Sequence, residues 1–248
     1  MGEGRGEGSR DADAHPCPLP EYRERGFRTG SVIGMGIAER KEREKEELRR
    51  KIIDAARKLF VENGIENTSM RKIADAIEYS PTSIYLHFAD KETLLREICR
   101  EDFDALHAAE SSIGQIEDPV EKIRAIGLAY MRFGVEHPEQ YRLMFMTKHN
   151  VKPTAEDLKD RGDPTCDSYA VLEHTVRQAM AQDRMRPEYD NLDLICQTFW
   201  AGVHGVVAIE ITMKEDEWLN LAPFETRART VLDVMIRGMC VETRNEKT

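Results

Sequence analysis

The chain has 248 residues, of which 40% are hydrophobic and 33% charged, and its formal net charge is −10. This composition is typical of a folded globular protein and excludes a fibrous or low-complexity chain. No apolar run approaches the roughly 20 residues of a bilayer-spanning helix, and the polar first twenty residues differ from a secretory leader. We therefore expect a cytoplasmic protein without a membrane span.

The five cysteines are scattered along the chain, and no two have the close spacing of a redox or zinc motif. An odd, dispersed set fits reduced thiols better than a disulfide framework. The acidic excess lies late in the sequence: residues 41–99 carry 12 basic and 12 acidic side chains, whereas residues 100–248 carry 18 and 27. Because salt screens charges over roughly 8 Å, the neutral part can bind an anion that the acidic part repels. We expect no cofactor.

Residues 1–40 are predicted to form a disordered N-terminal extension, because they are rich in Gly and show no periodicity. From about residue 42 apolar residues recur at three- and four-residue steps, which predicts a helix. Asn63-Gly64 ends this helix, with Gly64 as the left-handed residue that follows it. Thr68 then fits the N-cap of a second helix.

The stretch SPTSIYLHFADKETLL, residues 80–95, predicts a third, short helix that runs to His87. Ser80 fits its N-cap, and Pro81 its first position, where a missing N–H costs nothing. Ile84 and Phe88 face inward at this spacing, which leaves an outer face of Pro81, Thr82, Ser83, Tyr85 and His87. Two short helices joined by a turn of about three residues predict a helix-turn-helix, and this outer face suits base edges and phosphates.

The rest of the chain shows no strand alternation, so the predicted fold class is all-α. Further helices are predicted at 91–110, 118–136, 138–147, 166–183, 190–214 and 223–242, with a mobile loop at 148–165. We therefore expect a three-helix helix-turn-helix domain at 41–98, followed by a helical ligand-binding and dimerisation domain at 99–248.

Residues 46–98 resemble the DNA-binding domain of the TetR family of bacterial transcriptional regulators. The matching segments are IIDAARKLFVENGIENTSMRKIADAI and YSPTSIYLHFADKETLL. The resemblance implies phosphate contacts from Thr68 and Ser69 in the second helix and from Lys91 in the fourth. It also implies contacts to base edges or the DNA backbone from Arg71, Ser80, Pro81, Thr82, Ser83, Tyr85 and His87.

Two positions depart from the family pattern, and one basic cluster stays open to two interpretations. Glu78 lies where the family often has a turn glycine, and Thr82 lies where many members have glycine at the DNA-facing surface. The base preference therefore cannot be copied from a relative. Arg43, Arg49 and Arg50 are either a solvated helical face with ion pairs or a basic arm that touches DNA.

The segment FWAGVHGVVAIEI, residues 199–211, resembles the regulatory domain of TetR members with a Trp-x-x-x-His-Gly motif. This resemblance implies a homodimer interface on the helices near 190–214 and 223–242, where small residues allow close approach. It also implies a ligand pocket, and the candidate lining residues are Met131, Tyr141, Phe145, Trp200 and His204. His204 has no second ligand one turn away, so no metal site is predicted.

We interpret the chain as a sequence-specific DNA-binding regulator, most simply a homodimeric repressor that a small apolar ligand releases from a palindromic operator. The alternative is a regulator without a pocket, either constitutive or controlled by a protein partner. An enzyme is not predicted, since the sequence has no Gly-rich phosphate loop, GxSxG or HExxH motif.

Overall fold

The computed structural model describes residues 36–148, 153–155 and 158–241, and these residues form α-helices joined by short connections. The helices are α1 (Ile37–Asn63), α2 (Met70–Ala76), α3 (Pro81–Tyr85), α4 (Lys91–Ser111), α5 (Pro119–Glu136), α6 (Pro138–Tyr141), α7 (Ser168–Ala181), α8 (Leu192–Met213) and α9 (Phe224–Met239). A π-helical segment, Arg142–Met146, continues directly from α6 and is called the π segment below. The predicted all-α class is confirmed.

Most predicted helices agree with the observed bounds to within a few residues, but α1 begins at Ile37 rather than near residue 42. Its exposed first turns are joined by pairs four residues apart, Arg40 with Glu44 at 3.6 Å and Arg43 with Glu47 at 3.4 Å. Such pairs extend a helix beyond its apolar stripe. The last residues of the predicted extension are therefore helical, while residues 1–35 and part of the predicted loop lie outside the described residues.

The N-cap of α2 is Ser69, not Thr68 as the sequence predicts. Ser69 Oγ accepts the N–H of Lys72 at 3.2 Å. Thr68 is only 1% exposed, and its hydroxyl donates towards the carbonyls of Gly64 at 2.9 Å and Leu59 at 3.2 Å. These carbonyls belong to the end of α1, where backbone acceptors lack helical partners. Thr68 thus ties the end of α1 to the start of α2 from inside the domain.

The turn between α2 and α3 contains Glu78 with a φ of +60°. The turn closes on α2, because the N–H of Tyr79 donates to the carbonyl of Ala74 at 3.0 Å. A residue with a Cβ in the left-handed region is strained by on the order of 1 kcal/mol, whereas glycine is not. The departure at Glu78 therefore keeps the turn but adds strain to it. Downstream, α3 ends at Tyr85, two residues before the predicted His87.

One apolar cluster holds the first four helices together, and it includes one residue from far along the chain. Its members are Ile52, Ile53, Ala56, Phe60, Ile65, Met70, Ile73, Ala74, Ile84, Phe88, Leu94, Leu95, Ile98 and Leu143. We call α1 to α3, with the part of α4 in this cluster, the head. Leu143 belongs to the π segment and is fully buried. The second domain therefore contributes a side chain to the core of the head.

In the second domain, α5 packs against α4, α7, α8 and α9. Glycine allows two of these contacts. A Cβ at Gly134 would lie 2.5 Å from Val207 Cγ1 on α8, and a Cβ at Gly127 would lie 2.7 Å from Leu232 Cδ2 on α9. Both distances are too short for a Cβ unless the facing side chain or its helix moves.

The long apolar helix α8 contradicts one expectation from the sequence. By length and composition it could cross a membrane, with a mean hydropathy of 1.5 over its most apolar window. No charged residue occurs between Asp193 and Glu210. The expectation that no apolar segment approaches the length of a membrane-spanning helix is therefore wrong. Helix α8 has that length, and the few polar residues between Asp193 and Glu210 are uncharged.

A buried ion pair joins the head to the second domain. Arg57 of α1 donates to both carboxylate oxygens of Asp102 on α4, with Nε–Oδ2 at 3.2 Å and Nη2–Oδ1 at 2.7 Å. The two side chains are 8% and 0% exposed. Gln140 of α6 also donates to Oδ1, at 2.8 Å. Burial lowers the pKa of Arg57, but the hydrogen bonds and charge of Asp102 outweigh burial, so the pKa of Arg57 is raised and its guanidinium stays charged.

We expect Arg57→Met to lower the free energy of unfolding by about 3–5 kcal/mol, because it leaves the Asp102 carboxylate buried without its cation. Chemical denaturation of the full chain measures this change. Arg50→Met is the matched control: Arg50 is 63% exposed and pairs with Glu101 at 3.4 Å, so its loss should cost under about 1 kcal/mol. The double variant Arg57→Met with Asp102→Leu should recover part of the loss, and strictly additive losses would contradict the coupling.

Candidate DNA-binding surface and ligand cavity

The start of α3 presents short polar side chains to solvent. Ser80 Oγ accepts the N–H of Ser83 at 3.2 Å and caps the helix. Ser80, Pro81, Thr82 and Tyr85 are exposed and Ser83 is half-buried. Ile84, next to them, is fully buried in the head. The sequence pattern thus places these five residues on one outer face, and the buried isoleucine fixes the direction of that face.

Other residues implied as DNA contacts flank this face in different ways. Ser69 and Arg71 are exposed at the start of α2. Lys91 begins α4, and its Nζ donates to the carbonyl of Ile65 at 2.7 Å. An ammonium group has three donors, so this bond orients the group and leaves donors for an outer acceptor. Thr68, in contrast, is buried with its hydroxyl bonded inside the domain, and the structure removes it from this surface.

His87 is half-buried beside Phe88, with ring centroids 6.5 Å apart. Burial lowers the pKa of His87, and the positive charges of Lys45 and Arg49 lower it further, against a weaker opposing effect of Glu46. The lowered pKa favours the neutral ring of His87 in the DNA-free chain, and this ring can offer DNA an N–H donor.

Two exposed apolar residues near this surface were missed by sequence reasoning. Leu86, just after α3, is 80% exposed, and Tyr79 in the turn lies with its ring centroid 6.0 Å from Lys51 Nζ. The periodic pattern assigns apolar residues inward, so it gives no signal for Leu86. The structure shows that Leu86 extends the outer face of α3 with an apolar group.

The basic cluster on α1 contacts the chain's own carboxylates. Arg49 binds Glu97, and also Glu101 at 3.0 Å, on α4. Arg50 binds Glu101 at 3.4 Å. These geometries favour ion pairs over a basic arm for Arg49 and Arg50.

The second domain contains a cavity of about 800 Å³. Its walls come from α4, α5, the π segment, α7, α8 and α9. The lining residues are mostly apolar and aromatic: Phe103, Leu106, Glu110, Ile123, Ile126, Gly127, Tyr130, Met144, Phe145, Asp167, Ser168, Tyr169, Leu172, Gln197, Phe199, Trp200, Ala201, Val203 and Leu232. This volume lies in the range of small-molecule binding sites.

The five candidate pocket residues occupy three kinds of position. Phe145 and Trp200 line the cavity directly. Tyr141 and His204 lie behind them, with ring centroids 4.9 and 6.1 Å from that of Phe145. Met131 is fully buried in the surrounding core and is not among the lining residues.

A chain of hydrogen bonds runs behind the aromatic wall. Trp200 Nε1 donates to the Tyr130 hydroxyl at 3.0 Å, which lies 3.0 Å from the Tyr141 hydroxyl, and Tyr141 lies 2.6 Å from His204 Nδ1. Burial lowers the pKa of His204, so its ring is neutral at pH 7. When the neutral His204 ring accepts at Nδ1, each tyrosine hydroxyl can donate to the next group. All the hydrogen bonds then point the same way, from Trp200 through the two tyrosines to His204.

Glu110 is the one carboxyl group buried in the cavity wall, and sequence reasoning missed it. It is 4% exposed, and neither its Oε2 nor the Ser168 hydroxyl has a hydrogen-bond partner among the described residues. Burial raises the pKa of Glu110 to about 8; Ser168 lies close enough to oppose this in part, and the Asp167 charge adds to it. The signal was present, because positions 98, 102, 106 and 110 fall on one buried stripe of α4.

The π segment faces two ways. Leu143 lies in the core of the head, whereas Met144 and Phe145 line the cavity. Arg142 also donates to the carbonyl of Ile211 on α8. Four consecutive residues thus contact the head, the cavity and α8.

Within the described ranges no group of three His, Cys, Asp or Glu side chains could hold a metal ion.

A capped helix-turn-helix with a polar outer face, followed by a helical domain around a cavity, defines a bacterial-type DNA-binding regulator. Comparison with known families agrees. The model of bacterial regulatory proteins of the tetR family matches residues 52–98. The model of the tetracyclin repressor-like C-terminal domain matches residues 123–233.

Curated relatives include the HTH-type transcriptional repressor AcnR of Corynebacterium efficiens, 30% identical over 144 residues that span 56% of this chain and 70% of the relative. The HTH-type transcriptional regulator AcrR of Shigella flexneri is 30% identical over 156 residues, 58% of this chain and 69% of the relative. A solved TetR family transcription regulator from Marinobacter aquaeolei VT8 has the same fold, with a TM-score of 0.64 and 20% identity over 82% of this chain and all of that chain. The chain belongs to the TetR family, and it is a DNA-binding regulator.

The unpaired carboxyl of Glu110 predicts a specific pH dependence of stability. Because its pKa is raised from 4.5 to about 8 in the folded chain, the folded state holds a proton that the unfolded state loses. Wild-type stability should therefore fall as the pH rises from about 4.5 to about 8. Between about pH 4.5 and 8, the free energy of unfolding of Glu110→Gln should rise relative to that of wild type by on the order of 3–5 kcal/mol.

Denaturant unfolding between pH 5 and 9 measures this difference. Glu117→Gln, at an exposed position before α5, is the control and should follow wild type at every pH. A difference between Glu110→Gln and wild type that does not vary with pH would contradict the buried, proton-binding carboxyl.

Proposed function

We propose that this chain is a homodimeric transcriptional repressor that a small ligand releases from a palindromic operator in the cytoplasm. The observation that carries the proposal is the π segment, which joins the core of the DNA-binding head to a cavity of about 800 Å³. The cavity favours a small-molecule ligand over the alternative of a regulator without a pocket.

In this proposal α3 enters the major groove. Ser80, Pro81, Thr82 and Ser83 approach base edges, and the exposed Leu86 supplies an apolar surface of the kind that contacts thymine methyl groups. Ser69, Arg71 and Lys91 bind phosphate, with Tyr85 and the neutral His87 as further donors. Phosphate contacts fix the position of the head, and only the α3 face specifies sequence.

The second copy of the chain packs on α8 and α9. The face of α8 that is turned away from the chain carries Leu194 and Ile209 without any charge. A Cβ at Gly205 on this helix would meet no atom within 4 Å, so a partner helix can approach closely there. Gly202 has a different role, because its Cβ would lie 2.5 Å from Met235 Sδ on α9 of the same chain. A symmetric dimer places two heads at major grooves about 34–36 Å apart.

Ligand control passes through the aromatic wall. The Trp-x-x-x-His-Gly motif supplies Trp200 to the cavity and His204 to the hydrogen-bonded chain behind it, which is the role we assign to this motif. An occupant that displaces Phe145 moves the π segment and, through Leu143, the packing of the head. The occupant shifts DNA affinity only by its preference for one arrangement over the other.

Selection of bound duplexes from random DNA at about 150 mM salt tests the DNA-binding roles. Wild type should enrich a palindrome, and Thr82→Ala should shift its consensus because a base contact is lost. Lys91→Met should weaken all sequences alike and reduce the salt slope by about 1. Lys214→Met, at an exposed lysine after α8, is the control and should change neither. A shifted consensus in Lys91→Met with an unchanged salt slope would reverse the assigned roles.

The proposed dimer interface is tested by Val234→Glu on α9, where Val234 is 66% exposed. The symmetric interface would receive the buried charge twice, so the dimer dissociation constant should rise by about 100-fold or more. Ile37→Glu is the matched control, since Ile37 is 70% exposed at the start of α1. Sedimentation equilibrium at micromolar concentration should show dimers for wild type and the control, and monomers for Val234→Glu. A wild-type monomer, or a Val234→Glu dimer of unchanged affinity, would contradict the interface.

A further inference from the structure

The cavity wall contains two polar groups that a wholly apolar ligand would leave unsatisfied. Glu110 lines the cavity from α4 and is 4% exposed, and its Oε2 has no hydrogen-bond partner in the described part of the chain. The Ser168 hydroxyl, at the start of α7, lines the same cavity and also has none. Buried polar groups are almost always paired in native proteins. The Ser168 hydroxyl is close enough to Glu110 to lower its pKa in part, so the atom that indicates a ligand with a hydrogen-bond donor is Glu110 Oε2.

The surrounding wall is suited to positive charge. Five lining residues are aromatic: Phe103, Tyr130, Phe145, Tyr169 and Trp200. The faces of such rings attract cations, most strongly where water is excluded. Among the described residues that line the cavity, none is Lys, Arg or His, and the two ionisable carboxyl groups are Glu110 and Asp167. The wall therefore offers no positive side chain to an anionic ligand.

The N-terminal end of α7 could oppose a cation, because helix N-termini are positive. Asp167 caps this end, and its Oδ1 accepts the N–H of Tyr169 at 2.9 Å and of Ala170 at 3.3 Å. The charge of Asp167 is thus matched to the helix end. The carboxyl of Glu110 remains available to a ligand.

We propose that the ligand is an amphipathic amine, an apolar body that bears one positively charged nitrogen. The nitrogen lies between Glu110 and Ser168, and the body packs among the aromatic side chains. This inference rests on the proposed function, because it assigns the chemical class of the ligand that fills the same cavity. The ligand expected from the sequence is wholly apolar, whereas the ligand proposed here carries a positive charge that pairs with the buried carboxyl of Glu110.

The proposal predicts how affinity depends on pH. The groups that act on Glu110 are the Asp167 charge and the Ser168 hydroxyl at the start of α7, and Tyr130 on α5 is close enough for its pKa to be raised by Glu110. Burial and the Asp167 charge raise the pKa of Glu110 to about 8 in the empty protein. Below this pH an incoming cation must displace a proton from Glu110. Amine affinity should therefore rise with pH, by up to about tenfold per unit, and level off above pH 8.

Three probes with one tail separate charge from apolar binding: decylamine, decanol and decanoate, each titrated calorimetrically into the full chain below its micelle concentration. At pH 8 decylamine should bind at least about tenfold tighter than decanol, and decanoate should bind most weakly. Decylamine affinity should rise between pH 6 and 8, and decanol affinity should stay constant.

Glu110→Gln keeps the shape and hydrogen-bonding groups of the side chain but removes its charge. It should abolish both the preference for decylamine and its pH dependence, while decanol affinity stays within about twofold of wild type. Glu117→Gln should behave as wild type. Retained decanol binding shows that the Glu110→Gln cavity is intact, so a loss of amine affinity cannot come from misfolding.

The outcomes separate this inference from the proposed function. Equal or tighter binding of decanol or decanoate, or unchanged amine affinity in Glu110→Gln, overturns the charged ligand and leaves the cavity's role in place. Decanol affinity that falls above pH 8 also overturns it, because protonated Glu110 would then act as a hydrogen-bond donor to a neutral ligand. Failure of all three probes to bind overturns this inference and counts against the ligand-controlled function as well.

Discussion

The relation between the head and the second domain depends on the buried ion pair between Arg57 and Asp102. A buried ion pair adds little net stability compared with an apolar pair of the same size, but its attraction offsets the cost of burying the charges only when the two groups are well aligned. Two hydrogen bonds from one planar guanidinium fix α1 against α4, and Gln140 adds α6 to the same carboxylate. A rotation that separated α1 from α4 would leave the charges of Arg57 and Asp102 buried without their partners. These hydrogen bonds therefore join α1, α4 and α6 at one carboxylate.

The π segment explains how a cavity in one domain can affect the packing of another. Its wider turn sends Leu143 into the head, while Met144 and Phe145 face the aromatic wall. A π-helical turn inside an α-helix is less stable than a regular turn and is frequent at functional sites. The tether from Arg142 to the carbonyl of Ile211 connects the same turn to α8. The side chains that reach the head and the cavity are neighbours in one segment, so the proposed coupling requires no long-range pathway.

The sequence correctly predicts the parts of the fold that are determined by residues close to one another in the chain. The end of α1 follows from Gly64, whose φ of +79° suits glycine, and the start of α3 follows from Ser80 and Pro81. The wrong predictions occur where contacts between segments distant in the chain determine the structure. Thr68 and Ser69 are equivalent as caps in the sequence, and only the carbonyls at the end of α1 select between them. The cavity is a property of several packed helices, so the motif could name Trp200, while the only signal for Glu110 was its place on the buried stripe of α4, and the Tyr130 hydroxyl had no signal in the sequence.

The strained turn at Glu78 has a consequence for how this regulator can change over generations. The residue lies between α2 and α3, exposed, and its φ of +60° penalises any side chain. Replacement by glycine would relieve the strain without altering the residues on the outer face of α3. Most substitutions that alter recognition also destabilise a protein, and a chain tolerates them only above a stability threshold. Position 78 therefore provides a separate route to stability, by which a lineage can compensate for a changed operator preference.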